Sequence, residues 1–318
     1  MDEINARLIY LFTDLILPLI VGYVLYQQHL LSDTAVNRLI RINVIVFFTL
    51  LSLFSFWALP LTRDLLMLPV FFAFIILFPG FISWRLLGRR FRSPIDRGTH
   101  LISALLSNIG TLGGICAYII YGERGFAYAQ IGGACQNLAL VILAFPIAQY
   151  YYLLHKTHGR AARLEGRSFL GLLVSWNQLS VLGMAAGLLL NAGGVTRPPV
   201  LSEAFGYIIH VSAWFAMLPV GSLINLRRAR HFVYLTLDII ALRFLIVPLF
   251  TFFAARIFIS DPVVQNSLVI FAGVPAAINA TLTARLYRLN VDYTIAVFLV
   301  TTVLYLTILF PVIFFLFR

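Results

Sequence analysis

The sequence predicts an all-α polytopic membrane protein with about ten transmembrane helices. Of its 318 residues, 61% are hydrophobic and 11% are charged, whereas soluble domains carry about 25% charged residues. The apolar residues form long runs, and a helix of roughly 20 apolar residues crosses a hydrocarbon core about 30 Å thick. Nearly all charged residues lie in the short connectors between these runs. Lipid, rather than water, is therefore expected around most of the chain.

Ten apolar runs are predicted to be spans 1 to 10, in chain order. They cover residues 8–27, 41–60, 65–87, 99–121, 126–154, 168–191, 203–226, 233–258, 263–286 and 293–317. The residues before span 1 lack the basic start and the small-residue cleavage site of a secretory signal. Span 1 is therefore expected to stay in the mature protein.

The basic residues predict the orientation of these spans. The connectors after spans 1, 3, 5, 7 and 9 hold 16 of the 23 Lys and Arg residues, and the opposite side holds 6. Connectors rich in Lys and Arg stay in the cytoplasm. We therefore expect both termini outside, in a multi-pass protein of the bacterial inner membrane. Nucleic acid is not an expected partner, because no basic domain exists to present the charges.

The longest polar connector, 155–167, separates two halves of five spans each, 1–154 and 168–318. An odd number of spans in each half gives the two halves opposite orientations. This is the inverted-repeat plan of many secondary transporters.

Two short matches between the halves agree with such a repeat. Gly22 of span 1 matches Gly187 of span 6 in its apolar surroundings. Gly113-Gly114-Ile115 of span 4 matches Gly273-Val274-Pro275 of span 9. Since apolar segments also resemble one another by chance, the repeat remains a hypothesis at this point.

Spans 4 and 9 contain residues that interrupt helices. Glycine lacks the side chain that favours a regular helix, and proline removes a hydrogen bond. Paired interruptions in matching positions of two halves indicate a binding site; close packing through small residues is the alternative. We expect half-helices to begin near Gly113 and Pro275, where their N-termini favour an anion such as a carboxylate. The predicted substrate-binding residues are Asn108, Thr111, Gly113, Gly114, Asn137, Gly273, Pro275, Asn279 and Arg243.

The ionisable residues inside the predicted spans include Asp14, His210, Asp238 and Arg243, and such residues are costly there and are often functional. Arg243 is expected either to anchor the fold, through an acid of another span or through carbonyl groups, or to attract the substrate. Asp238 lies about 140° away around an ideal helix and is a poor partner for it. Asp14 and Asp238 are expected in solvent near the interfaces, and His210 is expected to be a hydrogen-bonded packing residue.

Several motifs resemble the auxin efflux carrier family, which includes plant auxin carriers and bacterial malate or malonate permease-like proteins. The segment NIGTLGGI at 108–115 resembles the family's Asn-x-Gly-x-x-Gly-x-Pro motif, and GVPAAINA at 273–280 resembles its span 9 motif. Leu17-Pro18, Gly22-Tyr23, Leu30-Leu31-Ser32 and the segment 242–248 also fit, in the right order. One departure is Ile115, which stands where the family usually has proline.

This resemblance implies ten spans, outside termini and broken helices 4 and 9 that cross each other. It implies a scaffold of spans 1, 2, 6 and 7 and a transport domain of spans 3–5 and 8–10. Organic anions are the substrates that it implies.

The predicted function is a carrier that moves a small organic anion by alternating access. A cation/proton antiporter of the same ten-span plan would need carboxylates beside the broken helices, where spans 4, 5 and 9 offer Asn and Gln. A non-transporting receptor or sensor would need a partner protein for its output. An enzyme is not expected, because HExxH, GxSxG and paired catalytic carboxylates are missing. No cofactor or metal is predicted, and a homodimer is compatible with the sequence.

Overall fold

The computed structural model describes residues 9–157, 179–222 and 232–317. These residues form an all-α fold, and the β-structure among them is one isolated antiparallel bridge between Ser107 and Ala276. The predicted fold class is thus confirmed. Most of the predicted 155–167 connector lies outside the described residues.

We number the helices in chain order. They are α1 (Leu11–Gln27), α2 (Asp33–Trp57), α3 (Arg63–Arg90), α4 (Pro94–Leu105), α5 (109–121), α6 (123–156), α7 (Leu179–Ala192), α8 (Pro199–Ser222), α9 (Val233–Phe258), α10 (Pro262–Ala272), α11 (Ile278–Leu286) and α12 (Val291–Phe317). The turn between α5 and α6 requires a glycine, because Gly122 has a φ of 61°.

The described helices are those of a membrane protein. Six apolar segments are long enough to cross a bilayer: α2, α3, the joined α5 and α6, α8, α9 and α12. Helices α1, α7 and α10 are shorter apolar helices. The prediction of a membrane-embedded chain is therefore confirmed, whereas ten crossings, the inverted repeat and the side on which the termini lie stay predictions.

The chain divides into two compact units. Unit 1 consists of residues 1–62, 111–130 and 175–224, and unit 2 consists of residues 63–110, 131–174 and 225–318. Unit 1 thus contains α1, α2, α7, α8, α5 and the start of α6. Unit 2 contains α3, α4, the rest of α6 and α9 to α12.

In unit 1, two helix pairs pack with their backbones in close contact. A Cβ atom on Gly22 of α1 would overlap the carbonyl group of Leu218 in α8. A Cβ atom on Gly187 of α7 would likewise overlap the carbonyl oxygen of Leu53 in α2. Small residues allow such close approach between helices in a membrane. These glycines are therefore structural requirements of the α1–α8 and α7–α2 pairs.

One end of unit 1 is held by hydrogen bonds of a partly buried arginine. Arg197, in the connector before α8, binds both carboxylate oxygens of Glu123 at 2.6 and 3.1 Å. It also donates to the carbonyl oxygen of Phe54 and to Ser202, each at 2.7 Å. A bidentate Arg–carboxylate pair fixes both direction and distance. Arg197 thus joins α2, α6 and α8.

Within unit 2, α4 packs against several of the other helices. The core cluster beside it consists of Ile239 of α9, Ala276 and two residues of α12, Tyr293 and Val297. Prolines at the first helical position begin both α4 and α10, where a missing N–H is tolerated. The C-termini of these two helices lead into the interruptions that form the candidate site.

Candidate functional site

Two helices of unit 2 are interrupted, and the interruptions pair with each other. Between α4 and α5, residues 106–108 are not helical, and neither are residues 273–277 between α10 and α11. The Asn108 N–H donates to the Pro275 carbonyl oxygen at 2.9 Å, and the Ala277 N–H donates to the Leu106 carbonyl oxygen at 3.0 Å. We call these two segments the paired breaks.

The cause of the second break is plain from the sequence. Pro275 has no N–H to continue a helix and pushes the residue before it away from helical angles. The first break has no proline, and it lies at Leu106-Ser107-Asn108. The expectation that the half-helix begins near Gly113 was therefore wrong by about one turn. Ser and Asn instead favour non-helical backbone, because their short polar side chains compete for backbone hydrogen bonds.

The outward-facing N–H groups of the paired breaks bind side chains of α6 and α12. The Ser107 N–H donates to Gln136 Oε1 at 3.3 Å, and Ser107 Oγ donates to the same oxygen at 3.1 Å. The Ala276 N–H donates to Thr301 Oγ1 at 3.2 Å. Buried backbone polar groups need such partners. Gln136 and Thr301 thus perform equivalent tasks for the two breaks.

Gln136 leaves a buried donor free. Its side chain is 4% exposed, and its Nε2 atom has no acceptor in the described residues. The amide orientation follows from Ser107, because a backbone N–H needs an oxygen as its acceptor. A free buried N–H donor costs about 1–3 kcal/mol unless a ligand or water accepts its hydrogen bond. Gln136 is therefore a candidate ligand-binding residue that the sequence did not single out.

The N-terminus of α11 lies next to the paired breaks. Its capping residue, Ala277, has no side-chain acceptor to offer. The Ile278 and Asn279 N–H groups accordingly have no acceptor among the described residues. The N-terminus of a helix carries a partial positive charge and favours anions. Asn279, in the first turn, is partly exposed, so its amide is available to a ligand.

The structure brings together some of the predicted site residues. Asn108 and Pro275 are joined by a hydrogen bond, Gly273 caps the C-terminus of α10, and Asn279 is the second residue of α11, two residues past the break. Asn137 lies next to Gln136 in α6, is partly exposed and makes no hydrogen bond to the described residues of the breaks.

Three predicted residues belong to α5, whose residues from 111 onward are part of unit 1. Thr111 and Gly113 lie in its first, π-helical turn. Gly114 follows and would bring an added Cβ to within 3.4 Å of Phe126 and Gln130 side-chain atoms. The two glycines are thus buried helix residues and do not form the break.

Arg243 is the one cation among the predicted site residues, and its side chain is deeply buried. It is 1% exposed, and its Nη2 atom donates to the Ala104 carbonyl oxygen at 2.6 Å, one residue before the end of α4. Its Nε atom has no partner, and no carboxylate of the described residues pairs with it. Of the alternatives expected for Arg243, the structure shows a carbonyl group as its partner. Within the described part of the chain, the guanidinium charge has no counter-ion and lies at a helix C-terminus beside the paired breaks.

The intramembrane carboxylates differ from the expectation that solvent surrounds them. Asp14 is 5% exposed and lies 2.5 Å from His210 Nδ1 within unit 1. Asp238 binds His100 and Arg90 within unit 2. A buried carboxylate is stable when it is paired, and each of these has a partner on another helix. The interpretation of His210 as a hydrogen-bonded packing residue is confirmed.

Comparison of the chain with protein-family models finds no match, and comparison with curated proteins by sequence finds none either.

Proposed function

We propose that this protein is a secondary transporter that carries small organic anions, of the carboxylate class, across the bacterial inner membrane. The observation that carries the proposal is the set of unused donors at the paired breaks. The Ile278 and Asn279 N–H groups and Gln136 Nε2 all lack acceptors among the described residues. A carboxylate offers oxygen acceptors for such donors.

The charges around the paired breaks favour an anion over a cation. Residues 106–108 and 273–279 contain no acidic side chain, and Gln136 and Thr301 are neutral. The nearest charged side chain on α9 is the uncompensated cation Arg243, held at Ala104. A cation/proton antiporter needs a carboxylate that binds and releases its ion. Arg243 instead supplies positive potential, which screening by water weakens little in a buried site.

Neutral donors suit a carrier because it must release its substrate as well as bind it. A buried ion pair would require an expensive desolvation of both charges and would be hard to break. Helix-terminal N–H groups and amides offer positive partial charge without that desolvation. Arg243, whose guanidinium is held by a carbonyl oxygen, would act through its field and need not touch the substrate.

The proposed mechanism is alternating access with two inverted five-span repeats. It is supported by the reciprocal hydrogen bonds of Asn108 and Ala277 in the breaks. The equivalent close contacts of Gly22 and Gly187, in the α1–α8 and α7–α2 pairs, also support it. We propose spans 1, 2, 6 and 7 as the scaffold and spans 3–5 and 8–10 as the moving domain, as in the auxin efflux carrier family. Residues 111–130 belong to unit 1, although they come from spans 4 and 5 of the proposed moving domain. The proposed domains therefore differ from the two compact units in this segment.

Uptake by purified protein in liposomes tests this function. Vesicles loaded with an unlabelled carboxylate are diluted into labelled malate, malonate, succinate or lactate, and accumulation by counterflow is measured. A carrier accumulates at least one labelled anion, and the other anions of its class compete. Uptake of labelled sodium without dependence on a carboxylate would support the antiporter. Carboxylate binding without uptake would support a receptor.

A further inference from the structure

A completely buried histidine lies on α4, one helical turn before Ala104. His100 is 0% exposed. Its Nε2 atom lies 2.9 Å from Asp238 Oδ2 of α9, and its Nδ1 atom lies 2.6 Å from Ser83 Oγ of α3. Both ring nitrogens thus have polar partners on different helices, although packing alone would not require either. The carrier function proposed above does not use this group.

Aromatic rings cover the faces of the His100 imidazole, and Asp238 connects its edge to solvent. Phe91 and Tyr293 pack against the ring, with centroids 5.1 and 6.4 Å away. Arg90, whose side chain is 40% exposed, places Nη2 2.9 Å from the Asp238 carboxylate. Asp238 itself is 12% exposed in its side chain. A path of polar groups therefore leads from the buried imidazole to the surface.

The other charged or titratable groups nearby are bound elsewhere or lie farther along the helices. The Tyr293 hydroxyl donates to the Leu235 carbonyl oxygen at 2.9 Å, and Asp96 accepts a hydrogen bond from Asn290 at 2.8 Å. Further charged or titratable groups on α4 and on the elements packed against it include Arg97 of α4, Arg85 and Arg89 of α3, Tyr151, His155 and Lys156 of α6, Arg243 of α9, Arg285 of α11 and Asp292 of α12.

We propose that His100, held between Ser83 and Asp238, binds and releases a proton that is transported together with the anion. This inference rests on the carrier function proposed above. Ionisable chains of Asp and His inside membrane proteins commonly serve as proton relays. Histidine is the side chain that changes charge near neutral pH.

The contacts of His100 suit both protonation states. In the neutral ring, the Nε2 hydrogen is donated to Asp238 and the Ser83 hydroxyl donates to Nδ1. When a proton adds to Nδ1, the new N–H donates to Ser83 Oγ, whose own hydrogen rotates away. A hydroxyl can act as donor or acceptor, so neither hydrogen bond is lost. The Asp238 carboxylate supplies the counter-charge, and the exposed Arg90 side chain can turn to water.

The position of His100 on α4 connects its charge to the anion site. His100 and Ala104 are one turn apart on the same face of α4, and both bind α9, through Asp238 and Arg243. On an ideal helix these α9 residues point about 140° apart. Both side chains nevertheless reach α4, Asp238 through His100 and Arg243 through the Ala104 carbonyl oxygen. Charging His100 alters the electrostatic part of this attachment, six residues before the first break begins.

A direct titration tests the site without any substrate. Infrared difference spectra between pH 5 and pH 8 are recorded on the purified parent, on His100→Gln and on His155→Gln, which changes an exposed histidine near the end of α6. The account predicts an imidazole band that His100→Gln removes and His155→Gln keeps. Identical difference spectra for the parent and His100→Gln would overturn the proposal.

Coupling is tested in liposomes that contain a trapped pH dye. With the parent and with His155→Gln, uptake of labelled malate should acidify the lumen. With His100→Gln, malate exchange should persist while acidification is lost. Malate uptake by the parent without acidification would refute the coupling and leave the carrier function intact. If the parent transports none of the carboxylates, the carrier function fails, and the infrared result decides alone whether His100 titrates.

Ser83→Ala keeps the test decisive if His100→Gln does not fold. Without the Ser83 hydroxyl, both protonation states lose a hydrogen bond at Nδ1, and the charged ring loses the stronger one. The pH of half-maximal malate uptake should then move down by about one unit, the equivalent of one tenfold change in proton affinity. An unchanged pH profile in folded Ser83→Ala would contradict the proposal.

Discussion

Arg243 is the residue on which sequence and structure agree most usefully. Its charge in an apolar span predicts a functional role. In the structure, its side chain reaches the C-terminus of α4, where it donates to the Ala104 carbonyl oxygen. Gln136 had no such signal, because a glutamine in a helix is ordinary until its environment is known. Its importance comes from the buried, unpaired Nε2 atom, which depends on where the first break lies. A charged residue in an apolar span can thus be identified from the sequence. Whether a buried polar group lacks a hydrogen-bond partner cannot.

Replacing Arg243 separates its electrostatic role from its structural role. Arg243→Gln keeps a donor for the Ala104 carbonyl oxygen but removes the charge, so the protein should fold and bind malate about tenfold more weakly. Arg243→Met leaves that carbonyl unsatisfied and should lower the free energy of unfolding by about 1–3 kcal/mol. Malate binding and thermal unfolding of the purified variants provide the measurements. Arg256→Gln, an exposed position on the same helix, is the matched control. Parent-like affinity and stability in both Arg243 variants would reject both roles.

At the level of helices, the sequence predicted which elements break but located only one of the breaks. Pro275 determines the position of the second break, because it has no N–H to continue the helix. In span 4 the glycines suggested a break at Gly113, yet the helix stops at Leu105 because Ser107 and Asn108 find partners outside it. A glycine permits an interruption without requiring one. Its role at a given position depends on the neighbouring helix, which a single sequence does not show.

The close contact between α1 and α8 gives a stability prediction for Gly22→Ala. The added methyl group would overlap the Leu218 carbonyl group, and overpacking typically costs about 1–3 kcal/mol. Gly206→Ala in α8 is the matched control, because a Cβ there meets no atom within 4 Å. Alanine at that position should stabilise the helix by up to about 1 kcal/mol. Thermal unfolding in detergent should therefore move in opposite directions for the two variants. A parent-like melting temperature for Gly22→Ala would show that the helices separate easily.

For the molecule as a whole, hydropathy predicted the bounds of two long helices closely. The predicted span 8, 233–258, coincides with α9, and span 10 agrees with α12 to within two residues at its start. This succeeds because a lipid-embedded chain must satisfy its backbone hydrogen bonds within each helix. The orientation of the chain is a different matter. It depends on insertion and on the Lys and Arg residues of the connectors rather than on helix packing.

Cysteine labelling tests the predicted orientation. In a variant without native cysteines, Thr157→Cys should react with a membrane-impermeant maleimide only after the cells are permeabilised, because the basic connectors are expected in the cytoplasm. Arg318→Cys should react in intact cells. Labelling of both positions from the same side would contradict the five spans predicted between them. Labelling of both only after permeabilisation would place the C-terminus inside.

The central claim is that an organic anion binds at the paired breaks, and the affinity of Asn279 variants tests it most directly. Binding of labelled malate and malonate is measured on purified, folded parent, Asn279→Ala, Asn279→Asp and the exposed control Asn37→Asp. Asn279→Ala should lose roughly 1–3 kcal/mol of binding free energy if the amide contacts the anion. Asn279→Asp should bind more weakly still, because it places a negative charge against the substrate, while Asn37→Asp should match the parent. If the parent binds and both Asn279 variants bind equally well, the anion does not lie at the start of α11 and the account is wrong.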